Sequence, residues 1–278
     1  KKKCVIHPEN SSRGVALFVI IVGGILGIKS FIEHENLQDE KIADLQIQID
    51  QYRKEYGASR PDIPDFAEDS YNYLAIGNSI TKHPICDYWW NEIGMAASRE
   101  ENDYVHLITE RLGADVEMYA LNFYIWEIQS ADRAETLMVL EPYLSQNLNL
   151  VTVQLGENVA DRGTLEQDYE ELIRFIQDRC PDARIMLVGG FWEDTETDGM
   201  KNAVASRCGI DFVDLSPVWD HAEYKVGLGA TVYGGDGQGH AVEHGGVAEH
   251  PGDKGMKFIA ESILEFIEME HGGKRGMR

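Results

Sequence analysis

The stretch Tyr73-Leu-Ala-Ile-Gly-Asn-Ser-Ile-Thr81 decides how the rest of the chain is read. Tyr73 to Ile76 is a short apolar run closed by a turn, which reads as a buried strand. Gly77 permits a tight bend that a Cβ would obstruct, and Asn78-Ser79 then set two polar side chains just past the strand's carboxyl end. In open parallel sheets that edge is where ligands bind. Gly-Asn-Ser is also ordinary turn chemistry, so a role for the Ser79 hydroxyl needs partners elsewhere in the chain.

Those partners are present. Gly156-Glu157-Asn158 follows a second apolar run, Val151 to Leu155, so an amide side chain is expected at another strand end. His250-Pro251 lies ahead of a terminal helix. A serine, a histidine able to take its proton and an amide able to bind a developing oxyanion are the parts that acyl transfer requires. Between them, strand and helix patterns alternate. Strands are predicted over 73–77, 116–121, 150–155, 184–190 and 211–214, and helices over about 88–112, 127–144, 164–179, 198–207 and 254–271. Thr164, with Gln167 three residues on, is expected to cap the third of these helices. The nearly unbroken apolar runs at 150–155 and 184–188 suit strands covered on both faces. The alternation predicts a parallel sheet between helix layers, a three-layer α/β/α domain.

Gly77-Asn78-Ser79-Ile80-Thr81, Gly156-Glu157-Asn158 and His250-Pro251-Gly-Asp-Lys-Gly255 together resemble, in order, three sequence blocks of the SGNH (GDSL-like) hydrolases, a family of esterases and acylhydrolases. The resemblance covers about residues 70 to 270 and implies a flavodoxin-like sheet of five parallel strands in the order 2-1-3-4-5. It implies Ser79 as nucleophile, His250 as general base, and the Ser79 N–H and the Asn158 side chain as oxyanion donors. Asn78 stands where that family usually has Asp. Its second-block glycine has no counterpart in Leu121-Asn-Phe-Tyr-Ile-Trp126-Glu127, which leaves a backbone donor near Trp126 or Glu127 as the expectation. The acid usually found three residues before the histidine is Val247 here, so a Ser79–His250 dyad is expected, its imidazole held by a backbone carbonyl or by a carboxylate from elsewhere. Glu249 is expected to point away and Asp253 to cap the last helix.

Asn78, Gly156, Trp126, Glu127 and His83 are the remaining candidates for lining the site. Trp126 suits an acyl pocket or the core, and Glu127 a helix cap. The chain lacks the Gly-x-Ser-x-Gly elbow of α/β-hydrolases, because Thr81 stands in place of the second glycine. His240-Ala-Val-Glu243-His244 matches a zinc-binding pattern that needs a helix, but glycines on both sides predict a loop; no metal and no cofactor is expected.

With 25 Lys+Arg against 48 Asp+Glu, the 278-residue chain carries a formal charge of -23, which repels polyphosphates and argues against nucleic acid as a partner. Three lysines and Arg13 precede an apolar run from Gly14 to Ile28, short for a membrane span unless Lys29 snorkels. Residues 1–32 are therefore expected to be a cytoplasmic tail and membrane anchor, with a cleaved signal peptide as the rival; either puts the domain outside the cytoplasm, anchored or secreted. Residues 33–64 read as a helical stalk and linker: Ile42, Leu45, Ile49, Tyr52 and Tyr56 make a seam that suits either a homodimer or packing on the chain's own domain. Residues 65–278 form the expected hydrolase-like domain. Cys180 and Cys208 each end a helix ahead of successive strands, which leaves a disulfide and free thiols both open.

The expected function is an extracytoplasmic serine esterase removing small O-acyl groups, acetyl above all, from a small molecule or glycan. The alternatives are an O-acyltransferase using the same dyad and a non-catalytic, tethered glycan-binding domain. Tyr88, Trp89, Trp90, Trp192 and Trp219 could stack on sugar rings or fill a core.

Overall fold

The computed structural model describes residues 63–275. The apolar N-terminal run and the proposed stalk lie outside these residues, and among the described residues no helix is long and apolar enough to cross a membrane.

Five parallel strands, β1 (Tyr71–Gly77), β2 (Val116–Asn122), β3 (Leu148–Gln154), β4 (Arg184–Val188) and β5 (Asp211–Val213), form one sheet in the order 2-1-3-4-5. The period-two alternation of β1 sends Tyr73 and Ala75 to one face and Leu74 and Ile76 to the other, all fully buried. On the first face they meet Ile108 of α1 (Tyr104–Leu112) and Ile259 and Ile263 of α7 (Asp253–Arg275). On the second, Leu74, Val151, Val153 and Leu187 pack on Leu172, Ile173 and Ile176 of α4 (Leu165–Arg179), with Val204 of α5 (Thr195–Cys208) beside them. Each such side chain contributes roughly 1.5–3 kcal/mol on burial, and together they make the three layers expected from the alternation.

Two predicted helices are broken. Over 88–103 the chain stays irregular because its backbone serves the turn after β1: Met95 N–H donates to Ser79 O at 2.8 Å and His83 N–H to Ile93 O at 2.9 Å. Gly94 approaches Ile80 O so closely that a Cβ would lie 2.4 Å from it. The helix begins only where Asp103 accepts the His106 N–H. The segment predicted as a helix over 127–144 is divided into α2 (Tyr124–Ile128), α3 (Arg133–Thr136) and short 3-10 turns. The Thr164 cap is not made; its hydroxyl donates to Asp168 instead. Asp253 is the first residue of α7 and accepts Ser98 N–H and Oγ–H and Asn102 Nδ2–H, tying the helix to the irregular segment. An unforeseen hairpin, β6 (Thr231–Tyr233) with β7 (Gly239–Ala241), and a one-turn α6 (Gly245–Ala248) fill the connection to the last helix. Cys86, Cys180 and Cys208 are free thiols, so the possible disulfide does not form.

Candidate active site

The site stands at the carboxyl ends of β1, β2 and β3. Gly77 is required where β1 ends, since a Cβ there would overlap Thr81 and lie 2.8 Å from Gln154 O. The turn that follows is closed by Thr81 and Lys82 N–H donating to Asn78 O, at 3.1 and 3.0 Å. It presents a half-buried Ser79 whose N–H has no partner among the described residues.

His250 arrives from 171 residues away, and its Nε2 lies 2.9 Å from Ser79 Oγ. Its loop is pinned from the side, because Val226 N–H donates to His250 O, Gly227 N–H to Ala248 O and Gly252 N–H to Tyr224 O. Nδ1 lies 2.7 Å from Gly246 O. A carbonyl can only accept, so the proton of the neutral ring sits on Nδ1 and the Nε2 lone pair faces the serine. Among the described residues no carboxylate holds the ring: Val247 is buried in the core, and Glu249 pairs with Lys225 at 2.6 Å. The His250 pKa is lowered to about 4, first by burial and then by the charges of His83 and His244, against the pull of the Gly246 carbonyl.

The other side of the site is built differently. Glu127, for which both a helix cap and a place lining the site were expected, is completely buried in α2 and points back under the turn. Its Oε1 accepts Gly156 N–H at 2.5 Å, Asn78 Nδ2–H at 3.1 Å and Asn158 N–H at 3.4 Å, while Oε2 accepts Asn158 Nδ2–H at 2.7 Å. Asn78 Nδ2 donates also to Glu157 Oε2 at 2.7 Å, so one amide bridges two carboxylates. Asn78 Oδ1 accepts Ile80 N–H at 3.1 Å. Glu157 further accepts the Gln154 side-chain amide and the Phe191 N–H. Burial and the Glu157 charge push the Glu127 pKa up, against the pull of the amide donors.

Gly156 takes φ +128, a value that L side chains rarely adopt, and this turns its N–H toward Glu127. Arg133 holds α2 from behind: its buried guanidinium donates to Trp126 O, Glu127 O and Asp161 O and pairs with Asp168 at 2.6 Å.

Trp126 has no exposed surface and packs on Tyr169 in the lower core, so it lines no pocket. Its backbone N–H is committed to Phe123 O at 3.0 Å and is not available to an oxyanion. His83 is a half-buried neighbour of His250 whose Nδ1 bonds Pro84 O. His240 and His244 do not share a helix face: one stacks on Trp90 and the other on Tyr88. Trp192 packs edge-on to His250, with ring centroids 5.1 Å apart. It also walls a cavity of about 110 Å³ with Glu157, Asp198 and Lys201.

Glu127 was among the site candidates, but its role as the buried acceptor beneath the amides was not foreseen, and Arg133 was missed altogether. The order 2-1-3 puts the ends of β2 and β3 on either side of β1, so an acid after β2 faces the amides of the other two ends; that signal was available.

No protein-family model matches the chain, and no curated protein matches it significantly. Among solved structures it is similar to phospholipase A1 from Streptomyces albidoflavus NA297, at 12% identity and TM-score 0.44 over 70% of this chain and 99% of that one. It is similar to a family two carbohydrate esterase from Clostridium thermocellum, at 18% identity and TM-score 0.46 over 73% of this chain and 65% of that one. It is also similar to the M. smegmatis aryl esterase, at 16% identity and TM-score 0.45 over 72% and 99% of the respective chains. At this level of likeness, chemistry has to be derived from the side chains themselves.

Proposed function

We propose that this chain is a serine ester hydrolase. The observation that carries the reading is the Ser79 Oγ–His250 Nε2 contact at 2.9 Å, with Nδ1 committed to Gly246 O. A serine hydroxyl is a weak nucleophile at neutral pH and needs an unprotonated base aimed at it. As Oγ bonds to the acyl carbon, its proton passes to Nε2 and the carbonyl electrons move onto oxygen. The open Ser79 N–H and the second Nδ2–H of Asn158 are the donors for that oxyanion. His250 then hands the proton to the departing alcohol, and water, deprotonated by the same nitrogen, releases the acid.

The finer reading is a small acyl group, acetyl first, on a hydroxyl-rich alcohol such as a glycan. What supports it is the character of the neighbouring cavity, small and lined by Glu157, Asp198 and Lys201 beside the Trp192 ring. Such walls suit hydroxyl groups and one sugar face better than a long alkyl chain. Location outside the cytoplasm, anchored by the N-terminal apolar run, belongs to the same proposal and rests on residues 1–32 alone.

Hydrolysis of p-nitrophenyl acetate tests the reaction. Ser79→Ala and His250→Ala should each lower kcat by about 10³-fold or more. Rates equal to wild type in Ser79→Ala would remove the reading.

A further inference from the structure

Glu127 is an expensive feature to keep, because an ionised carboxylate with no exposed surface requires full hydrogen-bond compensation. That compensation comes from four N–H bonds, and three of the four come from Gly156 and Asn158, at the strand end that carries the oxyanion amide. Every partner is a donor, so only the carboxylate form satisfies them all.

This has a consequence for Asn158. A side-chain amide has two faces of similar shape and opposite polarity, and an exposed Asn is free to present either. A carboxylate 2.7 Å away accepts and cannot donate, so it fixes the nitrogen toward itself. The second hydrogen on the same nitrogen is then directed away from Glu127. With the amide turned over, Oδ1 would take that place and set a lone pair against a developing oxyanion. We propose that Glu127 is a positioning residue that locks the Asn158 amide in its donating orientation and, through Gly156 and Asn78, fixes that amide's distance from the Ser79 turn. The proposal rests on the serine esterase reading. Glu127 itself is sealed from substrate and acts only through these amides.

Glu127→Gln keeps the shape but must turn an N–H against a donor, which favours the wrong face of Asn158. It should lower kcat on p-nitrophenyl acetate by about 10²-fold, the size of losing one oxyanion donor, with KM within about twofold of wild type. Glu127→Asp retains the acceptor and should recover part of the loss. In the Asn158→Ala background Glu127→Gln should cost little more, because both changes remove the same contact. Tm and circular dichroism identify any variant that fails to fold; if Glu127→Gln does, Glu127→Asp is read in the same cycle. A kcat for Glu127→Gln within about threefold of wild type, or a loss that simply adds to that of Asn158→Ala, overturns the proposal while leaving the dyad intact. Wild-type activity in Ser79→Ala overturns the esterase reading beneath it.

Discussion

The two sides of the site are held by unlike forces. On one side, His250 is held by a neutral peptide oxygen, Gly246 O, and by a loop strapped to residues 224–227. On the other, the Asn78 and Asn158 amides are held by carboxylates, Glu127 and Glu157. A carboxylate beside the imidazole would stabilise the imidazolium formed during attack; a carbonyl gives less. The difference suggests a site whose charge serves oxyanion geometry more than the base, with the base kept neutral over a wide pH range.

The most disruptive way to test that division is to give the histidine an acid. Val247 stands where the acid would be expected, yet it is 1% exposed and belongs to the apolar cluster that includes Val218, Val242 and Met256. Val247→Asp should therefore bury an unpaired carboxylate and cost about 3 kcal/mol or more at neutral pH, measured by urea unfolding, without raising kcat. A several-fold gain in kcat at unchanged stability would mean that this loop can turn the acid onto Nδ1, and the contrast between the two sides would be shallow.

The carboxylate side has its own weak point in Gly156. An alanine there would strain a backbone at φ +128 and bring Cβ to 2.7 Å from Tyr169 Oη. Gly156→Ala should cost about 1–3 kcal/mol of stability and lower kcat more than it raises KM, because the displaced N–H is one of the bonds to Glu127. Loss of stability with kcat untouched would show that the Glu127 network is scaffolding alone.

These contrasts also mark what could be read in advance. The five strands were legible because their apolar runs are short, uninterrupted and closed by turn residues, and the Ser79 turn because a glycine stands at the strand end. The helix expected over 88–112 formed only from Tyr104 onward, because tertiary hydrogen bonds to Ser79 and His83 claim the earlier backbone, which no local periodicity encodes. The helix expected over 127–144 failed for a related reason: Arg133 takes carbonyls of α2 and Asp161 and folds the segment back on itself. The partner of the His250 ring could be narrowed from sequence to a carbonyl or a distant acid. Choosing Gly246 O required the one-turn α6, four residues that carry little pattern of their own.

The smallest expected effect bears on the neutral side directly. His250 acts as a base only when unprotonated, and its pKa is lowered to about 4, first by burial and then by His83 and His244, against the Gly246 carbonyl. The acid limb of kcat/KM should therefore rise through about pH 4 and be flat by about pH 6, where an ordinary histidine would still be titrating. Because the folded value lies below the unfolded one, protonation favours the unfolded chain, so this group's contribution to stability is lost as pH falls from about 6.5 to about 4. His244 stacks on Tyr88, with centroids 4.3 Å apart, and lends positive charge near the ring when protonated. Removing it in His244→Ala should move the limb upward, and His83→Ala should move it the same way. A wild-type limb centred near 6.5 would mean that His250 is as well hydrated as a free imidazole; the peptide carbonyl would then be an incidental contact, and the neutral side of the site would not be holding its base at all.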